Sequence, residues 1–301
     1  MKLTILGCYA ATPRTFTNPT SQVLQINGHL FLIDCGEGTQ VELRRNKIKF
    51  SRIKHIFISH LHGDHCFGLV GLISTFRLLN RETELHVYGP KGIKQIITLQ
   101  LKLSKSWTNY PLYFHELESN EPELLFEDDK ITVETIPLNH RIYTNGFLFK
   151  EKIGPRKLLI HEALNHNIDV SLYQSVKMGK DVISNEGKKI ANRLVTEDPD
   201  PPKSYAFCSD TAYYPAIIPQ IANTSVLYHE STFMEANEEL AAPTKHSTAK
   251  QAALIAKEAN VGKLILGHFS TRYNGIQGFQ EEANSIFPEV ELADDGKIFT
   301  F

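Results

Sequence analysis

Long apolar runs are missing from this sequence: no stretch approaches the roughly 20 residues that a membrane span requires, which excludes an embedded helix. Cysteine is scarce. Cys8, Cys35, Cys66 and Cys208 lie far apart with no CxxC spacing. That pattern fits reduced thiols in a cytoplasmic protein better than a disulfide framework. Net charge is small as well, with 32 Lys and Arg against 34 Asp and Glu for a formal −2. A broadly cationic nucleic-acid binder is excluded, while local basic patches are not. No internal repeat or low-complexity segment stands out. The opening MKLTILGCYAATP superficially resembles an export signal ending in a lipid-modified Cys8. Its apolar stretch between Lys2 and Gly7 is too short for an export core of about 7–15 residues, and it reads as a buried first strand.

What is present is an ordinary globular composition: 301 residues, 42% hydrophobic and 22% charged, enough for a sizeable core. Short apolar runs alternate with turn signals and helical patterns, as in an α/β protein. In the first half LTILGC, SQVLQI, HLFLIDCG, HIFISH and ELHVYG read as strands, with helices in GTQVELRRNKI and LVGLISTFRLLN. In the second half KITVETIPL, GFLFKE, SYAFCSD, SVLYHEST and KLILGHF read as strands. Ser247 or Thr248 is placed to cap a helix through AKQAALIAKEA, and FQEEANSIF precedes a last short strand, DGKIFTF. Residues 151–202 break the pattern with Gly-Pro, the DPDPP run and weak helical periodicity from His161 to Val176. The segment is too long for an ordinary connection and reads as an arm projecting from the core of a single domain spanning 1–301. Two basic patches occur: Arg44, Arg45, Lys47, Lys49, Arg52 and Lys54, and residues 150–193, with nine Lys and Arg against five Asp and Glu. Solvated surface is the bland account of both.

The decisive motif is Ser59-His60-Leu61-His62-Gly63-Asp64-His65, delivered by the apolar run HIFIS. Alternation along an extended chain points His60 and His62 the same way. Gly63 lets the backbone turn, so that Asp64 and His65 face a second point. Imidazoles and a carboxylate so close together suit borderline metals such as zinc; a polar turn with incidental histidines is the alternative. Six residues cannot complete two metal sites. His140 after TVETIPLN, Asp210 after YAFCS and His268 after KLILG are ligand types where an apolar strand meets a loop, the usual seat of chemistry in α/β proteins. Singly, each has a structural explanation: a surface turn, a helix cap, a core histidine. Jointly they supply what the first motif lacks, and the reading is a two-metal site.

HxHxDH followed by isolated His, Asp and His strand ends resembles the metallo-β-lactamase superfamily, an αββα sandwich with metals at one edge. Within it the resemblance over essentially the whole chain is to the ribonuclease Z family of tRNA 3′-processing endonucleases. Ser209-Asp210-Thr211 resembles that family's aspartate motif, His229-Glu230-Ser231-Thr232 its HEAT motif with Ser for Ala, and Lys245-His246-Ser247-Thr248 its HST motif. The insertion at about 151–200 sits where the family places a flexible tRNA-clamping arm. The resemblance implies that His60, His62 and His140 hold one metal, that Asp64, His65 and His268 hold the other, and that Asp210 bridges them. It implies two Zn2+ per chain, with Mn2+ or Fe2+ as alternatives. Asp64 would accept a proton from the attacking water, and His246, oriented by Glu230, would protonate the departing ribose 3′-oxygen. Precursor tRNA is the implied partner, and a homodimer in which one subunit's arm grips RNA cut by the other is the implied assembly. One stretch departs from the family pattern. Where a PxKxRN-type loop is expected, Pro13-Arg14-Thr15-Phe16-Thr17-Asn18 keeps Pro13 and Asn18 and lacks both basic positions.

Three rival readings remain on the residues alone. A small-molecule hydrolase of the same fold would need the metals but neither the arm nor the Glu230–His246 pair. A di-iron redox protein would carry a flavin domain and a different carboxylate arrangement. An RNA-binding module with a dead site would have lost ligands. The remaining histidines, His29, His55, His86, His115, His161 and His166, lack partners at ligand spacing and read as structural or surface residues. Cys66 adjoins His65 without reading as a ligand, and Tyr213 and Tyr214 read as packing or as base-stacking groups.

Overall fold

The computed structural model describes residues 1–12 and 14–301, so Pro13 of the N-terminal loop lies outside the described residues. The first half builds a sheet from β1 (Lys2–Gly7), β2 (Ser21–Ile26), β3 (His29–Ile33), β4 (Ile53–Phe57), β5 (Leu85–Pro90) and β6 (Leu112–Leu117). The chain then crosses to a second sheet with β7 (Leu124–Glu127), β8 (Ile131–Pro137) and β9 (Asn145–Glu151). The arm carries four two-residue strands, β10 (Lys157–Leu158), β11 (Val182–Ile183), β12 (Lys189–Ile190) and β13 (Thr196–Glu197). The second sheet is completed by β14 (Ser204–Cys208), β15 (Val226–Glu230), β16 (Leu264–Gly267) and β17 (Val290–Leu292), and β18 (Ile298–Thr300) returns to the first. Sheet order is β18-β1-β2-β3-β4-β5-β6 against β17-β16-β15-β14-β9-β8-β7. Each sheet is antiparallel in one part and parallel in the other: β3 to β6 in the first, β14 to β17 in the second.

Alternation along the strands assigns side chains to layers. Leu3 and Ile5 of β1 and Phe31 and Ile33 of β3 face the second sheet, in one core with Phe147, Phe149, Phe207 and Tyr228. Leu6, Leu30 and Leu32 face the other way. Three helices cover that outer face: α1 (Thr39–Arg45), α3 (Leu69–Leu78) and α4 (Ile93–Leu103), the one-turn α2 (Gly63–Cys66) lying between the first two in sequence. Strands covered on both faces read as nearly continuous apolar runs, which is why HLFLI and LILG carry no polar alternation. In α4, Ile93, Ile97 and Leu101 recur every four residues and are buried; this helix, like β6, β7 and β17, adds to the elements expected from the sequence.

The arm has a small core of its own, Ala163, Ile168, Val176, Val182, Ile190 and Val195, sharing no member with the two large clusters. It holds α5 (Ile160–Asn165) and α6 (Tyr173–Lys177), the product of the weak periodicity around His161 to Val176. It leaves the body between β9 and β14, where Lys150 pairs with Ser204. Its basic excess is largely compensated. Arg156 and Lys157 pair with Asp198 and Asp200, Lys189 with Asp181, and Lys150 and Lys152 with Glu134 and Glu127. Lys177, Lys180, Lys188 and Arg193 have no carboxylate partner among the described residues.

The second half adds the short α7 (Ile218–Ile221), α8 (Glu238–Thr244), α9 (Ala249–Glu258) and α10 (Gln277–Asn284). Thr248, not Ser247, caps α9, in a reciprocal capping box with Gln251. Ala252, Ala253 and Ala256 of α9 and Phe279 and Ala283 of α10 close the outer face of the second sheet. The layers are therefore helix, sheet, sheet, helix. Among the described residues no helix is long and apolar enough to cross a membrane.

Candidate metal centre

The carboxyl ends of the parallel strands meet at one edge of the sandwich, and the ligand-type residues stand there. Three of these strands end in a residue that is not glycine yet takes a left-handed backbone: Asp34 after β3 (φ 56°), Asp210 after β14 (φ 62°) and His268 after β16 (φ 57°). Such conformations cost energy and persist only where the surroundings impose them. Here they turn side chains that continued strands would aim into the layers toward a shared edge.

Asp210 is the hinge of the arrangement. Its Oδ1 lies 3.8 Å from His60 Nε2 and 3.9 Å from His140 Nε2, and His60 Nε2 is 2.9 Å from His62 Nδ1. Its Oδ2 lies 3.1 Å from His65 Nε2 and 3.3 Å from His268 Nε2. Asp64 Oδ2 closes that second group at 3.5 and 3.7 Å from the same two nitrogens. The seven residues singled out from the sequence thus converge as two donor clusters, His60, His62, His140 and Asp210 on one side and Asp64, His65 and His268 on the other.

The chemistry of the donors fits divalent cations. His65, His140 and His268 are buried, and the Nε2 of each has no hydrogen-bond partner. A buried polar atom left unpaired is costly, and three such imidazole nitrogens around one carboxylate make a ligand set. The opposite ring nitrogens are all engaged. His65 Nδ1 meets Asp34 at 2.7 Å, His60 Nδ1 meets Ser59 Oγ at 3.0 Å, His140 Nδ1 donates to Lys245 O at 3.0 Å, and His268 Nδ1 meets Thr232 Oγ1 at 2.8 Å. Such outer contacts fix ring orientation and tautomer. Burial and the neighbouring imidazoles hold His60 well below its ordinary range, favouring the neutral ring a metal requires. Burial would raise Asp64, but His65 and His268 outweigh it and keep that carboxyl ionised far below its usual range.

Asp34 was not singled out from the sequence, and Ser59, Thr232 and Lys245 stand there within motifs but without a role. Asp34 is fully buried and accepts from Ser59 N at 2.7 Å, Ser59 Oγ at 2.9 Å and the ring of His65. Its signal was available, an acid ending the apolar run HLFLI as Asp210 ends YAFC. Lys245 is left-handed (φ 54°), and its ammonium donates to Asn139 Oδ1 and His140 O. It ties the turn carrying His140 to the residue preceding His246.

Gly63 does not act as expected. It opens α2 and takes no positive φ; a Cβ there would lie 2.5 Å from the ring of Phe67. Glycine leaves room for the exposed Phe67 ring lying over it, and the turn that presents Asp64 and His65 is helical. Cys66 donates from its thiol to His62 O, and burial pushes it up to about 12. Tyr213 and Tyr214 are partly buried against the central core. The first basic patch runs from the end of α1 to the start of β4, the end of that strand remote from His60.

Beside these clusters stands the Glu230–His246 pair, whose imidazole also lies within ligand reach of Asp210 and His268, with Nδ1 3.8 Å from Asp210 Oδ1. Glu230 is fully buried at the end of β15. Its Oε1 accepts from Thr211 N and the ring of His246, each at 2.8 Å, and its Oε2 from Thr232 N, Thr232 Oγ1 and Ser247 N. Five donors keep the buried carboxylate charged. Burial alone would lower His246, but the charge of Glu230 and the hydrogen bond to it carry the imidazole up to about 9.

Against known proteins, the family described as Anti-Pycsar protein Apyc1 matches residues 1–176, a range ending before Asp210, Glu230, His246 and His268. Ribonuclease Z of Bacteroides fragilis is 46% identical over 294 residues, covering 98% of this chain and 97% of the relative. Ribonuclease Z of Bacteroides thetaiotaomicron is 45% identical over 299 residues, covering 99% and 95%. Among solved structures, the short form of human tRNase Z (ELAC1) superposes with a TM-score of 0.73 at 27% identity, covering 100% of this chain and 99% of that one. YhfI from Bacillus subtilis, a metallo-β-lactamase fold protein, gives a TM-score of 0.68 at 18% identity over 99% and 98%. The αββα layering is thus the metallo-β-lactamase fold, residues 1–176 belong with the Apyc1 family, and over its full length this chain belongs to the ribonuclease Z family.

Proposed function

We propose that this protein is a metal-dependent endoribonuclease that removes the 3′ trailer from precursor tRNA, leaving a 3′-hydroxyl on the tRNA. The observation that carries this is the coexistence of Asp210 between two donor clusters with an adjoining pair, buried Glu230 and half-buried His246. A small ester or lactam needs the first and not the second.

On this reading His60, His62 and His140 hold one divalent cation, Asp64, His65 and His268 hold another, and Asp210 is shared. Zinc suits the mixed imidazole and carboxylate set, and Mn2+ or Fe2+ are accommodated by the same donors. Bound divalent cations lower the pKa of water and stabilise charge developing on a phosphoryl group. Asp64 takes the proton released as the water oxygen bonds to phosphorus. As the bond from phosphorus to the ribose 3′-oxygen breaks, His246 donates its proton to that oxygen, and Glu230 keeps the ring oriented and charged.

One domain of residues 1–301 carries the chemistry, and the arm at about 151–200 grips the RNA. The arm root lies at the start of β14, and a five-residue strand, roughly 16 Å at 3.3 Å per residue, separates it from Asp210. The reading includes a homodimer in which the arm of one protomer holds RNA cut by its partner. Four unpaired-spacing cysteines, all free, support a cytoplasmic setting. The test is incubation of the metal-loaded protein with a 3′-extended precursor tRNA, followed by mapping of both product ends. Cleavage at the trailer junction with a 3′-hydroxyl supports the reading; hydrolysis of small phosphodiesters without tRNA cleavage overturns it.

A further inference from the structure

The loop between β1 and β2 lies against the metal centre, and a residue near the other end of the chain closes its base. Ala11 donates its backbone N–H to Asp64 Oδ2 at 3.0 Å, from a left-handed conformation (φ 39°) that an alanine keeps only under constraint. The constraint is visible in the two residues that precede Ala11. Tyr9 N donates to Asn18 O at 3.2 Å, and Ala10 N donates to the carbonyl of Phe269, the neighbour of His268, at 3.0 Å.

Asp295, between β17 and β18, joins the two ends. Its Oδ2 accepts from Asn18 N at 2.6 Å and Asn18 Nδ2 at 2.8 Å, and its Oδ1 faces the thiol of Cys8 at 3.7 Å. Adjacent to it, Asp294 accepts from the hydroxyl of Tyr9 at 3.3 Å. Among the described residues no lysine, arginine or histidine pairs with Asp295, so its partly buried charge is balanced by these donors rather than by a cation. A carboxylate accepting a backbone N–H and a side-chain amide of one residue holds both the position and the direction of the chain there.

We propose that Asp295 is a positioning residue for phosphodiester cleavage, clamping the loop Tyr9–Asn18 so that the Ala11 amide holds the Asp64 carboxylate in place. This rests on the reading of Asp64 as ligand and proton acceptor. It assigns a role in the reaction to a residue that touches neither metal ligands nor substrate.

The test compares Asp295→Ala, Asp295→Asn, Asn18→Ala and the Asp295→Ala/Asn18→Ala double variant at saturating metal, on precursor tRNA and on bis(p-nitrophenyl) phosphate. Asp295→Ala is expected to lower kcat about ten-fold on both substrates, the size of one hydrogen bond to a charged group, with KM for the small substrate within about two-fold. Asp295→Asn should recover most of the loss, because its amide oxygen can accept where Oδ2 did. The double variant should be no slower than the slower single variant, as for two ends of one contact. Wild-type kcat in Asp295→Ala, no rescue by Asp295→Asn, or additive losses in the double variant would each overturn the assignment. If Asp295→Ala does not fold, Asp295→Leu carries the test: it keeps the volume and accepts from neither the backbone nor the side-chain donor of Asn18, and wild-type kcat there is the refuting result. A wild-type protein that cleaves the small substrate but not tRNA overturns the tRNA reading while leaving Asp295 to be judged on the small substrate.

Discussion

Replacing Lys177, Lys180, Lys188 and Arg193 together by glutamine separates an RNA clamp from a merely appended lobe. These four are the arm cations without a carboxylate partner; the others named in the basic excess are already paired and have little left to offer a phosphate. If each contacts one phosphate, binding carries a salt slope of about −0.7 to −0.9 in log K per log salt for each, or roughly −3 for the four. At 0.15 M salt the counterion release behind that slope corresponds to a loss of about two to three orders of magnitude in affinity when all four are removed. The side chains are on the surface of a lobe whose core is formed by other residues, so stability should change little. Filter binding or fluorescence anisotropy with precursor tRNA across a salt series measures both quantities. Turnover of bis(p-nitrophenyl) phosphate, which reaches only the metal cluster, should stay at the wild-type value. A variant whose slope lies within about one unit of the wild type, with affinity within a few-fold, refutes the clamp.

Removing the proton donor gives a second expectation: His246→Ala should slow tRNA cleavage by roughly 10²–10⁴ with metal content unchanged, and activity within a few-fold of wild type would remove His246 from the mechanism. Asp34→Asn, which replaces an acceptor for the His65 ring, should weaken metal binding by roughly 10–100-fold in a chelator competition, with full activity recovered at high metal. The fourth concerns acid stability. His55 lies against His86 and Phe126 with Nδ1 unpartnered, and burial, reinforced by His86 and His29, pushes it down to about 3. A histidine depressed in the folded state contributes stability that is fully present above the unfolded value near 6.5 and is lost as pH falls below it. Between pH 7.5 and 5 that loss is at most about 2 kcal/mol for one such group. Urea midpoints of wild type and His55→Phe over that range should therefore diverge, and parallel curves would show that the ring is not a source of acid lability.

What the sequence made legible follows from how far each interaction reaches along the chain. The HxHxDH loop is local: six consecutive residues carry four donors, and no knowledge of the fold is needed to see them. His140, Asp210 and His268 are distant from it and from one another, yet each is a ligand-type residue just beyond an apolar strand; β14 and β16 lie in the parallel part of the second sheet and β8, antiparallel to β9, runs the same way as β14, so all three ends reach one edge. Lys245 and Thr232 had no comparable signal. Lys245 acts through His140, 105 residues away, and Thr232 through His268, 36 residues away, by contacts that exist only once the second sheet and the turns at its edge have been assembled. Asp34 lies between these cases. It ends β3 just as Asp210 ends β14, with the same left-handed backbone, and differs only in meeting the donors of Ser59 and His65 instead of the open edge. A strand-end acid is therefore a signal for this edge of the fold, but not for whether the residue is a ligand or holds one. Which of the two it becomes is decided by the side chains it finds across the gap. At Asp210 these are imidazole nitrogens with no partner, and at Asp34 an imidazole whose other nitrogen is the unpartnered one.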